Sequence, residues 1–106
     1  MKKQKTIEIL LKIGLKPNCL GFKYIQDAID LLNEDEEYLY KTTALYYAVG
    51  KRNRTGYANA ERNIRNAFQA VSWKKEFLDF FQTEDFKSGN LLAILYWKLK
   101  ECEVGA

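Results

Sequence analysis

The sequence predicts an all-α fold, a compact bundle of five or six short helices that contains a helix-turn-helix. Apolar residues recur at helical spacing along most of the 106 residues. One Pro, six Gly and no low-complexity tract leave little room for long linkers or for a sandwich of short strands. The 47% share of hydrophobic residues is enough for one core. We therefore expect residues 1–106 to form a single domain.

The first two helices are predicted from short apolar stripes. Ile7, Leu10 and Leu11 form the first stripe, and Gly14 can end it, which predicts a helix near residues 5–13. Pro17 disfavours helix in the preceding residue, so "KPN" at 16–18 is a break. A second helix of about 12 residues follows from apolar residues at spacings of 3, 3, 1 and 3: Phe22, Ile25, Ala28, Ile29 and Leu32.

Further helices are predicted on both sides of the central basic stretch. Acidic side chains favour the positive end of the helix dipole, so a third helix is expected to begin near Glu36. It carries Leu39, Thr42, Thr43, Leu45 and Tyr46. A later compact apolar face consists of Trp73, Phe77, Phe80 and Phe81. "TEDFKSGN" at 83–90 is interpreted as a loop, and a last helix carries Leu91, Leu92, Leu95 and Leu99.

Charge is unevenly distributed along the chain. Residues 41–75 hold eight Lys or Arg and one acid, whereas residues 26–37 hold six acids and no base. The net charge of +3 says little about partners by itself. The basic stretch "GKRNRTGYANAERNIRNAF" at 50–68 is either a solvated helix that happens to be basic or a helix that lies against a polyanion.

The second half of this stretch predicts an amphipathic helix near residues 57–71. Its apolar face consists of Ala60, Ile64, Ala67, Phe68 and Val71, at spacings of 4, 3, 1 and 3. Amide and guanidinium groups, which can reach base edges in a major groove, occupy the opposite face: Asn59, Arg62, Asn63, Arg65, Asn66 and Gln69. The sequence shows no ladder of acid–base pairs on this face, unlike an ordinary solvated helix.

The residues before this helix complete the pattern of a helix-turn-helix. Gly50 allows a close crossing, the turn falls about four residues later, and Ala60 packs back from the second helix. Three cations and a threonine that can cap the second helix lie at the turn: Lys51, Arg52, Arg54 and Thr55. A solvated basic face on a helical bundle remains the alternative explanation.

Four segments carry a resemblance to a known family: "LLKIGLKPNCLGFKYIQDAIDLL", "LYYAVGKRNRT", "AERNIRNAF" and "GNLLAILYWKLK". In this order they resemble the C-terminal DNA-binding domain of the sporulation stage-zero master response regulator of endospore-forming bacteria, over most of residues 8–100. The resemblance implies six helices and a helix-turn-helix whose second helix enters the major groove. It also implies that Glu61, Arg62 and Arg65 lie on the "ER..R" of the recognition helix, where the family's arginines read a guanine-bearing box.

The chain departs from that family in several places. Asn53 stands where an apolar residue is expected, and Arg54 stands where a residue tolerant of left-handed geometry would be easier. The segment between Trp73 and Asn90 is shorter than the family's, which leaves the fold of that region open. The chain begins at Met1 with no room for a phospho-receiver domain, so control by aspartyl phosphorylation is not expected within this polypeptide.

The leading functional hypothesis is a sequence-specific DNA-binding transcriptional regulator. Arg62 and Arg65 are expected to read bases. Phosphate contacts are expected from Lys51, Arg52, Arg54 and Thr55, and supplementary base-edge or phosphate contacts from Asn59, Asn63, Asn66 and Gln69. The expected partners are double-stranded DNA and, beside it, RNA polymerase or a second copy of the chain on repeated sites.

The second hypothesis is a protein-interaction module that keeps the fold and modulates a full-length regulator without reading DNA. Seven aromatic residues can furnish an interface, although we expect the set as a whole to belong to the core: Tyr38, Tyr40, Tyr46, Tyr47, Tyr57, Tyr96 and Trp97. The donor-rich face at 59–69 favours DNA over this alternative.

Other function classes find little support in the sequence. Without His, a Gly-rich phosphate loop or a nucleophile motif, we expect neither an enzyme nor a metal or other cofactor. Cys19 and Cys102 are too far apart for a metal knuckle and are expected to be inert packing residues. No apolar run approaches the roughly 18 residues of a membrane span, and no secretory signal is visible, so we expect a cytoplasmic protein.

Overall fold

The described chain consists of helices joined by short turns. The computed structural model describes residues 2–105, with side chains described for residues 4–101. Residues 2–105 contain no strand and form α1 (Lys2–Lys12), α2 (Leu20–Glu34), a 3₁₀ helix (Glu36–Tyr40), α3 (Thr42–Arg52), α4 (Tyr57–Gln69), α5 (Lys75–Phe81) and α6 (Ser88–Gly105). The predicted all-α bundle is confirmed. None of the described helices is long and apolar enough to cross a bilayer.

The end of α1 depends on a glycine. Gly14 has φ +98°, a conformation that other residues rarely adopt. The Leu15 N–H donates to the Leu10 carbonyl at 3.0 Å, and the Gly14 N–H donates to the Leu11 carbonyl at 3.1 Å. These two bonds form a Schellman motif. Gly14 therefore terminates the helix as predicted, although α1 begins at Lys2 rather than near residue 5.

The core is built around α2. This helix packs against α1, α3, α4 and α6. Eight of its 15 residues are buried: Gly21, Phe22, Tyr24, Ile25, Ala28, Ile29, Leu31 and Leu32. Because these residues occupy more than one side of the helix, α2 serves as the support on which α3 and α4 are placed.

Helices α2 and α4 approach each other closely at Gly21. A β-carbon at this position would lie 2.4 Å from the Asn63 carbonyl oxygen and 2.5 Å from the Ala67 Cβ. Both distances are shorter than van der Waals contact. The absence of a side chain at Gly21 therefore sets how closely α4 sits on α2.

An aromatic cluster joins α4 to α5. The Phe68 ring lies edge-on to Phe77 and Phe81, with centroid distances of 6.2 and 5.8 Å. Trp73, which was predicted on the same apolar face, is instead 73% exposed. It lies in the turn before α5, where its indole N–H donates to the Ala70 carbonyl at 3.1 Å. That part of the prediction is wrong because Trp73 packs on the end of α4 and not on the core.

The third predicted helix is in fact two elements. The 3₁₀ helix Glu36–Tyr40 precedes Lys41, whose φ of −137° and ψ of 66° are not helical, and α3 begins at Thr42. The Asp35 carboxylate accepts a hydrogen bond from the Glu37 N–H at 3.0 Å. The acidic run therefore caps a helical N-terminus as expected, but this terminus belongs to the 3₁₀ helix.

A polar contact joins the 3₁₀ helix to α6. The Tyr96 hydroxyl donates to Glu36 Oε2 at 2.6 Å, and Lys100 Nζ lies 3.2 Å from the same oxygen. The 3₁₀ helix is thus held against α6, while α3, which begins after Lys41, packs on α2.

Helix α6 begins earlier than predicted. Residues 88–90 of the predicted 83–90 loop are helical, because α6 starts at Ser88. Three short-range hydrogen bonds stabilise the connection: Asp85 N–H to Thr83 Oγ1 at 3.1 Å, Lys87 N–H to Asp85 Oδ1 at 3.1 Å, and Asn90 Nδ2 to the Asp85 carbonyl at 2.9 Å. They bring Ser88 to the first position of the helix.

Cys19 occupies the residue before α2. It is partly buried, packs against the core, and its Sγ donates to the Lys16 carbonyl at 3.3 Å. This position agrees with the expected packing role. The side chain of Cys102 lies outside the described residues.

Replacement of Gly21 should destabilise the fold. We expect Gly21→Ala to lower the free energy of unfolding by about 1–3 kcal/mol, because the new methyl group would overlap the Asn63 carbonyl. This loss should outweigh the better helix propensity of alanine, about 1 kcal/mol. Urea denaturation followed by circular dichroism measures it. Gly56→Ala is the control, since a β-carbon at Gly56 would meet nothing within 4 Å. Equal stability of Gly21→Ala and wild type would contradict the close approach.

The contact at Glu36 should make the free energy of unfolding depend on pH in the acidic range. The hydrogen bond from Tyr96, followed by the contact with Lys100, lowers the pKa of Glu36 below its ordinary value. A carboxyl group with a lowered folded-state pKa adds stability above its unfolded pKa and loses it as pH falls through the folded pKa. Glu36→Gln should therefore reduce the loss of unfolding free energy between about pH 5 and pH 2. Tyr96→Phe should do so less, since Lys100 remains. Urea titrations across this range test both variants, and an unchanged acid dependence in Glu36→Gln would contradict the assignment.

Candidate nucleic-acid interface

The candidate interface consists of α3, a short turn and α4. Helix α3 ends at Arg52, residues 53–56 form the turn, and α4 begins at Tyr57. The two helices pack against each other, and both pack on α2. This order of helix, short turn and helix is that of a helix-turn-helix.

Gly50 allows the turn to fold back on α3. A β-carbon there would lie 2.6 Å from the Thr55 carbonyl oxygen and 3.0 Å from the Gly56 carbonyl carbon. The Thr55 N–H donates to the Gly50 carbonyl at 2.8 Å. The predicted need for a small residue is confirmed, but the close neighbour is the turn backbone and not the second helix. Ala60 is fully buried, as predicted.

Arg54 takes the left-handed conformation that the sequence analysis anticipated at this position. Its φ is +56°, and its side chain is exposed. A non-glycine residue in this region costs on the order of 1 kcal/mol. The turn thus carries a cation where glycine would fit with less strain.

Asn53 holds the end of α3 on α2. Its Nδ2 donates to Asp27 Oδ2 at 2.8 Å and to the Val49 carbonyl at 2.9 Å. Its Oδ1 accepts a hydrogen bond from Lys23 Nζ. The position that the family resemblance assigns to an apolar residue is therefore occupied by a hydrogen-bonded one, and the turn stays attached to the support.

The three cations at the turn have different surroundings. Arg52 Nη2 lies 2.9 Å from Glu34 Oε2, and its Nη1 lies 3.9 Å from Asp30 Oδ2. Part of the acidic segment on α2 is thus neutralised by a residue of the basic stretch. The side chains of Lys51 and Arg54 are exposed and form no hydrogen bond or ion pair within residues 4–101. The positive potential of the turn comes mainly from these two.

Helix α4 is buried on one side and exposed on the other. Ala60, Ile64 and Phe68 are buried, and α4 ends at Gln69, two residues before the predicted end. The most exposed polar residues lie opposite the core, at spacings of 4 and 3: Arg62, Asn66 and Gln69. Their side chains have no hydrogen-bond or ion-pair partner among the residues whose side chains are described. We call these three residues the outer stripe.

A ladder of hydrogen bonds flanks the outer stripe on one side. Asn59 Nδ2 donates to Thr55 Oγ1 at 2.9 Å, and Asn63 Nδ2 donates to the Asn59 carbonyl at 2.9 Å. The N-cap of α4 is Gly56, without a side-chain hydrogen bond, so the prediction that Thr55 caps this helix is wrong. The Thr55 hydroxyl instead accepts from Asn59, which turns the threonine toward the helix flank.

An ion pair and a hydrogen-bond chain flank the outer stripe on the other side. Arg65 Nε lies 3.2 Å from Glu61 Oε2, one helical turn earlier. The same oxygen accepts a hydrogen bond from Ser88 Oγ at 3.1 Å, and Ser88 Oγ is itself bonded to the Tyr46 hydroxyl. Burial raises the pKa of the Tyr46 phenol. One acid–base pair, Glu61 with Arg65, thus lies beside this face, and the residues of the predicted donor face other than Arg65 have no acidic partner among the described side chains.

These contacts divide the donors predicted on this face into two groups. Asn59 donates to Thr55 of the turn, Asn63 donates to Asn59 within the helix, and Arg65 is paired with an acid. The outer stripe keeps its amide and guanidinium donors available. Such groups can form bidentate hydrogen bonds with bases or single bonds with phosphate oxygens.

Four of the seven aromatic residues that are expected in the core are exposed. Tyr46 and Tyr96 are buried, but Tyr40, Tyr47, Tyr57 and Trp97 are 80, 62, 51 and 47% exposed. The expectation that the aromatic set as a whole forms core is thus wrong for these four. Tyr47 lies on α3 and Tyr57 on α4. Their positions relative to the apolar face of each helix could have indicated that they are exposed.

Ser88 is the residue of this region that sequence reasoning missed. The sequence predicts a loop at this position, yet Ser88 is 6% exposed and contacts two helices of the candidate interface. No local pattern indicates such a contact, because its partners Tyr46 and Glu61 are 42 and 27 residues away. Among the described residues, no group of three His, Cys, Asp or Glu could hold a metal ion.

Comparison with known protein families agrees with this architecture. A family model described as "Sporulation initiation factor Spo0A C terminal" matches residues 6–88. The matched range includes α3, the turn, α4 and Ser88, while the segment "GNLLAILYWKLK" lies beyond it. The family is one of DNA-binding domains in the transcription control of sporulation. The chain belongs to the family of C-terminal domains of the sporulation initiation factor Spo0A.

Proposed function

We propose that this protein is a transcriptional regulator that binds double-stranded DNA sequence-specifically, with α4 as its recognition helix in the major groove. The observation that carries the proposal is the outer stripe, three exposed donor side chains opposite the buried face of α4. A recognition helix needs this combination, because one face has to pack on the domain while the other reaches base edges. Membership of a DNA-binding family supports the same function.

Base reading is assigned to α4. Arg62 is exposed and has no acidic partner among the described side chains, so its guanidinium can bind O6 and N7 of a guanine. Arg65 contacts Glu61 through Nε, and its two terminal nitrogens, which have no partner among the described side chains, are proposed to bind a base. Asn66 and Gln69 can bind an adenine edge or a phosphate. The sequence-based roles of Asn59 and Asn63 as supplementary contacts stay predictions, since both side chains also hold the helix flank.

Phosphate binding is assigned to the turn. Lys51 and Arg54 supply exposed positive charge, and Thr55 lies next to them. The expected phosphate contact of Arg52 stays a prediction, and its ion pairs with α2 give it a second role in holding the turn. These contacts would position α4 without reading sequence.

A single domain of this size reads few base pairs, so we propose that two copies bind repeated sites. RNA polymerase is the further partner expected of a regulator at a promoter. The proposed location is the cytoplasm, where the DNA of an endospore-forming bacterium lies.

Exposed aromatic residues favour a second candidate function. Tyr40, Tyr47, Tyr57 and Trp97 are the kind of side chain that is enriched in protein interfaces. The chain would then bind a full-length regulator instead of DNA. The outer stripe favours the first function, because a protein-binding surface does not require three unpaired donors in a row.

Substitution of a cation on α4 and substitution of a cation next to the turn should change DNA binding in different ways. We expect Arg62→Ala to weaken binding to the preferred sequence by roughly 1–3 kcal/mol and to remove the preference at one base pair. Lys51→Ala should weaken binding to all sequences alike and reduce the salt slope by about one counterion. The measurement is DNA binding at several salt concentrations, with a box selected from a random pool and with scrambled DNA.

Two results would argue against this function. One is a wild-type protein that binds selected and scrambled DNA equally. The other is an Arg62 variant that loses no more discrimination than the Lys51 variant. If either result is obtained and the chain binds a full-length regulator, the protein-interaction module is supported.

Arg52 and its neighbour Lys51 offer a second comparison. Arg52→Gln should lower the free energy of unfolding by about 0.5 kcal/mol, because partly exposed ion pairs with Glu34 and Asp30 are lost. Lys51→Gln should leave stability nearly unchanged and reduce the salt slope of DNA binding more than Arg52→Gln does. Urea denaturation and salt-dependent binding test the pair. Equal stability of the two variants would contradict the anchoring role of Arg52.

A further inference from the structure

Three helices meet at one buried hydroxyl beside the reading face. Ser88, the first residue of α6, is 6% exposed. Its Oγ lies between the Tyr46 hydroxyl of α3 and Glu61 Oε2 of α4. These groups line an open cleft of about 550 Å³ between the three helices, and Arg65 lines the same cleft. The contact thus links the start of α6 to a residue of the proposed recognition helix.

The direction of the hydrogen bonds in this chain is determined by the donors available. An ionised carboxylate only accepts, so the single Ser88 proton is donated to Glu61. The Tyr46 hydroxyl therefore donates to Ser88 Oγ. A tyrosine phenol already carries its proton at neutral pH, and burial raises the pKa of Tyr46 further. The chain runs in one direction, from Tyr46 through Ser88 to Glu61.

The hydrogen bond from Ser88 to Glu61 also affects Arg65, because Glu61 and Arg65 form an ion pair. An ion pair between residues four apart on an exposed helix is weak by itself, about 0.3–0.5 kcal/mol. Here the carboxylate oxygen nearest to Arg65 Nε is also held by α6, which limits the rotamers that Glu61 can adopt. An arginine whose Nε is fixed presents its two terminal nitrogens in a defined plane, and such preorganisation lowers the entropy lost on binding.

We infer that Tyr46 and Ser88 are positioning residues for base recognition, and that they orient Arg65 toward one base pair through Glu61. This role rests on the proposed DNA-binding function and adds to it a specificity determinant outside α4. Neither hydroxyl touches DNA. Their effect is confined to the base pair that Arg65 reads.

The test is a double-mutant cycle on base discrimination. Binding to the selected box and to its single-base variants is measured for Ser88→Ala, Arg65→Ala and the double variant. We expect Ser88→Ala to lose at least about threefold in discrimination, at the base pair where Arg65→Ala loses it fully. The salt slope should not change in Ser88→Ala, because no phosphate contact is lost. The double variant should discriminate no worse than Arg65→Ala alone.

Matched variants separate positioning from a general loss of structure. Ser72→Ala removes a hydroxyl that donates only to the Gln69 carbonyl among the described contacts, and discrimination should be retained. Tyr46→Phe keeps the buried ring and should weaken discrimination at the same base pair. Ser88→Thr keeps the hydroxyl and should discriminate as wild type does, unlike Ser88→Ala. Thermal unfolding of each variant confirms that it is folded at the temperature of the binding assay.

A readout without DNA makes failure of this inference distinguishable from failure of the proposed function. In ¹⁵N-labelled protein, relaxation measurements should show that the Arg65 Nε–H group moves less in wild type than in Ser88→Ala and Tyr46→Phe, because the rotamers of Glu61 are limited by Ser88. Unchanged motion in both variants, or full discrimination by Ser88→Ala while wild type prefers the box, would overturn the positioning role. A wild-type protein without sequence preference would overturn the proposed function and the reading role of Arg65 with it.

Discussion

The close packing of α4 on α2 at Gly21 is the constraint on which the rest of this structure depends. Because the Asn63 carbonyl and Ala67 occupy the space where a side chain would stand, the rotation and depth of α4 are set by backbone contact and not by flexible side chains. The outer stripe faces away from the core for this reason. The presentation of Arg62 is thus a property of the scaffold as much as of α4 itself.

Charge is used in two ways in the same short region. The acidic groups of α2 hold Asn53 and Arg52 and so fix the end of α3. Lys51 and Arg54 carry the remaining positive charge of the turn. The alternation of an acidic and a basic segment along the chain, which looks like a signature of polyanion binding, is therefore in part an internal attachment of the turn to its support.

Short-range patterns predicted much of the fold, because amphipathic spacing and glycine chemistry act within one or two turns. The face of Ala60, Ile64 and Phe68, the termination at Gly14 and the left-handed Arg54 were all accessible in this way. Contacts between distant residues were not. The contact of Tyr96 with Glu36 joins residues that are 60 positions apart, and the contacts of Ser88 are with residues of α3 and α4.

The ladder from Thr55 through Asn59 to Asn63 also bears on how much sequence one copy would read under the proposed function. The amides of Asn59 and Asn63 already form hydrogen bonds with the turn and with α4, so a base that approached them would have to displace an existing bond. The proposed reading face is then the outer stripe together with Arg65, and four side chains on one helix span only a few base pairs. Under that proposal, much of the information needed to locate a site in a genome would come from the number and spacing of the copies bound.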